Sequence, residues 1–309
     1  MIGVGARYKT FDSHLKETFG EKVYKVSVDG GMTCPNRDGT LSEKGCIYCD
    51  EGSHYQQKGV RRLSITEQVT CGIEALRRKR KNLKRFLVYF QAYSGTYSDA
   101  PKLKKLWDEA LSVSGVVGIS VATRPDCLSP DVLALLKEYS TRTYFLVELG
   151  IQSMHEISLQ RINRGHGVET VHKAVSDLKS IGIKTCAHLI LYLPGEGKSE
   201  IFETVRVLSG FGVDGVKLHH LHVLKNTPLY DLYLTGNLYL PLVDEYVETV
   251  CDVLERLNEE TIVHRIVGDA PESRLVAPRW AQNKLDIVNR VHALLEKRGT
   301  RQGSALVGS

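Results

Sequence analysis

From Val23 onward the chain alternates short β-branched runs with stretches of helical period, and it does so six times. The runs are VYKVSV (23–28), RFLVYFQA (85–92), a strand inside GVVGISVATRPD (115–126), TYFLVELGIQS (143–153), IKTCAHLILYLPG (183–195) and VDGVKLHHLHVL (213–224). Between them lie SITEQVTCGIEALRRKRKN, APKLKKLWDEALSV, SPDVLALLKEYS, Val168 to Ile181, and KSEIFETVRVLSGFG. Ser129 followed by Pro130 marks a helix start, because the hydroxyl caps and proline needs no N–H at the first helical position. Strands joined by crossovers of this length pair in parallel, and the fixed hand of the crossovers lays the helices on one face. In the sixth run, period two sends Val216 and Leu218 to the helices and Lys217 and His219 to the other face. Polar groups on that inner face predict an α/β barrel or partial barrel with a wet lumen.

In such a barrel, chemistry sits where strands end. The loops at that end are the cysteine-bearing segment after the first strand, YSGTYSD, TRPD, GIQS and LPGE, and all five are polar. Helices return to the opposite end, so the basic run RRKRKNLKR (Arg77 to Arg85) is expected away from the mouth. Lys58, Arg61 and Arg62 enter that helix from the mouth side. Beyond Pro241 the sequence reads as a long helix, a strand TIVHRIVG, an irregular DAPESRLVAP and a basic helix at about 280–298. The tail RGTRQGSALVGS reads as a disordered terminus. The reading divides the chain into an N-terminal extension (1–22), a core (23–240) and a C-terminal extension (241–309).

The stretch CPNRDGTLSEKGCIYC holds three of the seven cysteines, Cys34, Cys46 and Cys49. A disulfide framework wants an even number, and a structural zinc site wants four ligands. His54 could complete a Cys₃His zinc site. The other reading is an iron–sulfur cluster held by three thiolates, which leaves one iron open. Cys71, Cys127, Cys186 and Cys251 stand singly and read as small core residues. The start MIGVGARYKTFDSH lacks a long apolar core and no run of eighteen apolar residues occurs, so a cytoplasmic location and no membrane span are expected.

Taken together, the three cysteines after the first strand, Tyr48 just before the last of them and the six βα units resemble the radical S-adenosylmethionine (SAM) enzymes. The eleven residues between Cys34 and Cys46 exceed the three most common in that superfamily. Such long gaps occur in the branch with the Elp3-like and YhcC-like proteins, and CPNRDGT…GC.YC resembles the YhcC-like family. The resemblance implies a radical SAM partial (β/α)6 TIM barrel with a C-terminal helical and strand extension. It implies a [4Fe–4S] cluster on Cys34, Cys46 and Cys49, with SAM as the second cofactor.

The same resemblance assigns SAM contacts. Tyr48 belongs to the cysteine motif. Gln91, Ser94 and Thr96 stand where relatives carry Gly-Gly-Glu for the SAM amino group. Ala122 replaces a glutamate before TRPD, so Thr123 or Glu148 is expected to compensate at the ribose. Gln152 in VELGIQS, and Arg164 twelve positions on, match the expected SAM contacts, Arg164 as a fork for the carboxylate. His188 takes the place of an aspartate. On the substrate side Lys217, His219 and His222 are the catalytic candidates, able to bind an anion or relay protons. Arg265, Asp269 and Arg274 are further polar candidates, and Trp280 is a base stacker or simple packing. The branch acts on the wobble uridine of tRNA, which implies tRNA as substrate, conversion of its 5-carboxymethylaminomethyl group to aminomethyl, and a flavodoxin- or ferredoxin-type electron donor. A net charge of +5 permits an acidic partner without demonstrating one.

Overall fold

The computed structural model describes residues 6–50 and 62–306. Lys58, Arg61 and His54 of the sequence reading lie outside the described residues.

Six parallel strands follow the predicted order: β1 (Val23–Val28), β2 (Arg85–Phe90), β3 (Val116–Thr123), β4 (Tyr144–Gln152), β5 (Lys184–Leu191) and β6 (Gly215–His220). A seventh, β8 (Ile262–Arg265), pairs parallel to β6, so the sheet draws its last strand from beyond residue 240. The result is a half-barrel in the order β1-β2-β3-β4-β5-β6-β8. The sequence reading ran the sixth strand on to Leu224, but the chain leaves the sheet after His220. Val223–Leu224 (β7) instead pairs antiparallel with β9 (Leu275–Ala277), because the edge of β6 is already taken by β8.

Among the described residues, α2 (Ile65–Lys79), α3 (Ala100–Leu111), α4 (Pro130–Arg142), α6 (Val168–Ser180) and α7 (Lys198–Phe211) form the outer layer. Ser64 and Glu67 make a reciprocal capping box on α2, and Ser129 caps α4 with Pro130 in its first turn. The outward strand residues, among them Val26, Val88, Val121, Val147, Leu189, Val216 and Leu218, join one apolar cluster between sheet and helices. Burying this surface is the main favourable term in folding, at about 25 cal/mol per Å². The alternate residues point into the lumen, as the period-two reading predicts.

Helix α1 (Phe11–Phe19), not foreseen in the sequence, packs against both β1 and β8, the two edges of the sheet. Val263 N–H donates to the Lys9 carbonyl at 2.8 Å, which extends the sheet by one bridge. The Phe11 ring stacks on His264 with centroids 3.9 Å apart. An edge left bare would be a template for stray pairing, and α1 covers it.

A short α5 (Glu156–Arg161) precedes α6, and α8 (Pro228–Leu234) and α9 (Val243–Arg256) follow β7. The last helix, α10 (Lys284–Arg298), begins after a 3-10 turn at Arg279–Gln282 and packs on α9. The tail does not behave as the disordered terminus expected of it. Gln302 is fully buried; its amide donates to the Asn258 and Thr261 carbonyls at 2.6 and 2.7 Å, and its oxygen accepts from Lys9 N–H at 2.9 Å. The backbone N–H groups of Gln302, Gly303 and Ala305 also donate to the Arg7, Leu254 and Glu255 carbonyls at 2.9, 3.2 and 2.8 Å, so the tail is tied down along its length. No described helix is long and apolar enough to cross a membrane.

Candidate active site

A cavity of about 880 Å³ opens at the C-terminal ends of the strands and runs down the lumen. Cys34, Cys46 and Cys49 line its rim. Their loop is shaped by its own backbone: Arg37 and Asp38 N–H donate to the Cys34 carbonyl at 2.8 and 3.1 Å, and Cys49 N–H donates to the Cys46 carbonyl at 2.9 Å. It is then pinned to the turn before α6. Asn36 Nδ2 donates to the Asn163 carbonyl at 2.6 Å, Asn163 Nδ2 to the Gly45 carbonyl at 2.7 Å, and Ile47 N–H to the Ile162 carbonyl at 3.0 Å. Gly45 has φ +70°, and a Cβ there would meet Arg37 Nη1 at 2.9 Å, so glycine is required on both counts.

Guanidinium groups face these sulfurs. Arg164 Nη1 lies 3.5 Å from Cys46 Sγ and Arg124 Nη1 4.0 Å from Cys34 Sγ, while Arg37 reaches the Cys49 carbonyl at 3.4 Å. Burial pushes the Cys49 thiol up, against the pull of Arg37. Arg124 is almost fully buried and held as a fork by Asp126, through Nε at 2.8 Å and Nη2 at 2.7 Å, while Nη2 also donates to the Arg164 carbonyl at 2.9 Å. Burial raises the Asp126 carboxyl, but Arg124 outweighs it and holds it low. The sequence marks TRPD only as a polar loop after the third strand and gives Arg124 no role. Only the fold shows that TRPD aims its arginine at the first cysteine.

The residues fit an iron–sulfur cluster. Three thiols on one rim, each near a cation, suit a group bound through thiolates whose charge needs compensation. Of the solitary cysteines, Cys127, Cys186 and Cys251 are buried, as expected, whereas Cys71 is exposed on α2 and is no core residue.

The expected SAM contacts separate into two sets. Tyr48, Gln91, Ser94, Thr123, Gln152 and Arg164 all line the cavity near the thiols. Gln152 sits at φ +74° where β4 ends in a register shift, a left-handed backbone uncommon outside glycine. Gly150 makes room: a Cβ would come within 2.9 Å of Arg164 Nη2 and 3.0 Å of Gln152 Nε2. Arg164 Nη2 also donates to the Gly150 carbonyl, which ties it to the end of β4. Thr96 does not reach the cavity. Its hydroxyl is bonded within the wall, 2.6 Å from Thr123 Oγ1 and 2.6 Å from the Cys127 carbonyl, so it orients Thr123.

Glu148 and His188 belong to a charge network deeper in the lumen. Glu148 is fully buried; one oxygen accepts from Lys25 Nζ at 2.8 Å and Ser120 Oγ at 2.7 Å, the other from Lys217 Nζ at 2.6 Å and His188 Nε2 at 2.7 Å. Burial raises its carboxyl, but Lys217, Lys25 and His188 outweigh it and hold the group well below the usual range. Burial brings Lys217 down to about 8 despite Glu148, and brings His188 down to about 4. Lys217 Nζ also donates to Tyr89 Oη at 3.2 Å. Lys25 was missed from sequence, although it occupies an inward position in VYKVSV, where an apolar residue would be the ordinary choice.

His219 and His222 line the cavity beside this network, kept neutral by burial, His222 at about 4. Arg265 and Asp269 also line it, paired at 2.7 Å. Arg274 is drawn away to the buried Asp50, next to Cys49. Trp280 packs on His220 and Tyr246, and its indole donates to the Pro241 carbonyl at 3.1 Å, which is packing rather than a stacking platform at the mouth. The basic run ends α2 at the far end of the barrel as predicted, except that Lys79 touches the cavity margin.

Comparison with known proteins agrees with this geometry. Residues 34–208 match the radical SAM superfamily and residues 213–297 its C-terminal domain. YtqA of Bacillus subtilis is 40% identical over 96% of this chain and 92% of its own. YhcC of Escherichia coli is 36% identical over 96% of this chain and 94% of its own. More distantly, a tRNA uridine(34) acetyltransferase of Methanocaldococcus infernus is 30% identical over 60% of this chain and 34% of its own. The solved structure of Methanocaldococcus infernus Elp3 shares the fold, with a TM-score of 0.69 at 19% identity over 91% of this chain and 64% of that one. The chain therefore belongs to the YhcC-like, Elp3-related branch of the radical SAM superfamily, as an enzyme that uses a [4Fe–4S] cluster and SAM.

Proposed function

We propose that this enzyme modifies the 5-substituent of the wobble uridine in tRNA, converting carboxymethylaminomethyl to aminomethyl. The observation that carries the reading is the single cavity with thiols at its rim and a cationic, imidazole-bearing wall below them. Seven Lys or Arg side chains but only two carboxylates line it. Such a cavity suits an anionic nucleotide with an acidic side chain, and the similarity to a tRNA uridine(34) acetyltransferase supports the same substrate class.

In this reading Cys34, Cys46 and Cys49 hold the cluster, and Tyr48, Gln91, Ser94, Thr123, Gln152 and Arg164 hold SAM beside it. Bound there, the two supply a 5′-deoxyadenosyl radical after one electron arrives from a flavodoxin- or ferredoxin-type donor. Removing a hydrogen atom from the substrate carbon between nitrogen and carboxylate leaves a radical stabilised by both neighbours. Loss of one electron to the redox partner and of the N–H proton gives an imine. Water then splits the imine into the aminomethyl group and glyoxylate. In the same reading Lys217, His219 and His222, which line the cavity, take up that proton and hold the carboxylate. A wobble base must be flipped out to enter, with arginine contacts near the mouth to hold it.

The test is mass spectrometry of tRNA nucleosides from cells lacking the gene. Accumulation of 5-carboxymethylaminomethyl uridines is expected. An unaltered profile would overturn the tRNA assignment in favour of a small-molecule substrate.

A further inference from the structure

The lower wall of the cavity carries more positive charge than its carboxylates balance, and the surplus is local. Glu148 is shared by two ammonium groups, Lys25 at 2.8 Å and Lys217 at 2.6 Å. Asp269 is likewise shared, between Arg265 at 2.7 Å and Lys284. Lys217 and Arg265 are register partners across the β6–β8 pair, so the two surpluses meet on one wall. Two imidazoles adjoin them. His219 Nε2 and His222 Nε2 are buried without a hydrogen-bond partner, and both residues line the cavity. A buried imidazole nitrogen left unpaired is unfavourable, and a bound ligand that pairs with it removes that cost.

We propose that Lys217, Arg265, His219 and His222 form a subsite for a carboxylate at the end of the substrate. The proposal rests on the reading of this cavity as the substrate site. A carboxylate fits better than a phosphate for reasons of donor number and shape. Lys217 already gives a bond to Glu148 and Arg265 to Asp269, so few of their donors remain for the three oxygens of a phosphate. A planar group also matches the guanidinium fork, which binds carboxylate through two parallel bonds. Lys217 faces Arg265 across β6 and β8, His219 stands two residues further along β6, and His222 follows the end of that strand, so the subsite runs from the Glu148 network towards the mouth.

The experiment uses the full chain with its cluster reconstituted, and three small probes: N-benzylglycine, its methyl ester, and benzylphosphonate. Ligand-observed NMR titration measures their affinities for the native protein, Arg265→Gln and His219→Asn. The native protein is expected to bind the acid at least about tenfold more tightly than the ester. Each variant is expected to lose that margin while keeping its iron content and circular dichroism. Equal affinity for acid and ester, no binding of the acid, or unchanged binding in a folded variant would each overturn the subsite. Phosphonate binding tighter than the acid would overturn the choice of carboxylate. Because the probes contain no nucleotide, an unaltered tRNA profile together with selective acid binding would remove the tRNA reading and leave the subsite standing.

Discussion

The rim and the lower wall of the same cavity are both rich in charge, but they are built differently. At the rim, Arg164 and Arg124 reach towards sulfur, and only Arg124 is held by a carboxylate. In the lower wall, Glu148 gathers four donors and is fully buried, so its charge is answered within the protein. The rim is thus organised around what it binds, and the Glu148 network around itself. A loss at the rim should abolish cofactor binding with little effect on folding. A loss at Glu148 should destabilise the chain while sparing the thiols.

The largest expected effect tests the first half of that contrast. Replacing Cys34, Cys46 or Cys49 with Ala should reduce reconstitutable iron and anaerobic 5′-deoxyadenosine formation to background. Cys71→Ala, on the exposed face of α2, should change neither. Stoichiometric zinc in place of iron would refute the cluster assignment. Urea midpoints of the three variants without cluster should stay close to that of the native apoprotein.

Glu148 tests the second half. Removing one partner of a buried charge group costs about 3–5 kcal/mol, because the remaining charge is stranded, whereas replacing the pair with apolar groups is often neutral. Glu148→Leu should therefore lower stability by about that amount, and adding Lys217→Met should recover part of it. Recovery is partial because Lys25 remains. Chemical denaturation of the two single variants and the double variant reads the coupling directly. A double variant no better than Glu148→Leu would show that Lys217 is held by something other than the carboxylate. Acid should have a related effect. The Glu148 carboxyl is held well below its usual value of about 4.3. Its stabilisation is complete above that pH and is lost as pH falls through the lower folded value. The gap between native protein and Glu148→Gln should narrow over that acid range.

How far sequence reached into each region follows from this difference. The rim thiols were legible because a short loop carries them all, and metal chemistry restricts which residues may serve. Lys217 and His219 were legible from alternation alone. Lys25 and Arg124 were not assigned, since each takes its meaning from a partner far along the chain, at Glu148 and Cys34. Sequence spacing does not encode that distance. The same limit explains the seventh strand and α1. β8 and the covering helix meet only because the sheet curls, and neither has a local signal of its destination. Gln302 illustrates the converse error, where a polar composition typical of a loose tail concealed three specific bonds.

Arg124 should show a smaller effect, confined to the rim. Its charge near Cys34 favours the more negative, reduced cluster. A charge several Å away is worth about 1–4 kcal/mol at an effective dielectric near 20 to 80. Arg124→Leu would also strand Asp126, so the cleaner variant is Arg124→Leu with Asp126→Asn. Its cluster midpoint potential, followed by electron paramagnetic resonance in a redox titration, should fall by tens of millivolts with iron content retained. An unmoved potential would make Arg124 a purely structural support for the Arg164 carbonyl.

The smallest effect belongs to Lys217 and appears on the alkaline side. Burial brings this ammonium down to about 8, despite Glu148 beside it, whereas in the unfolded chain it titrates near its usual value of about 10.4. Between those values the unfolded chain binds the extra proton, so stability contributed by this group rises with pH. The cost of burying the charged lysine is present in full below about 8 and is relieved above it. From pH 7 to pH 9 the gain is about 1.3 kcal/mol, and the loss of an ion-pair partner for Glu148 is already contained in it. Urea midpoints at the two pH values should therefore draw the native protein closer to, or further above, Lys217→Met by that amount. Other titrating groups act equally on both proteins and cancel in the difference. Parallel pH dependences would mean that Lys217 keeps its proton throughout, and that the network is held more tightly than its burial implies.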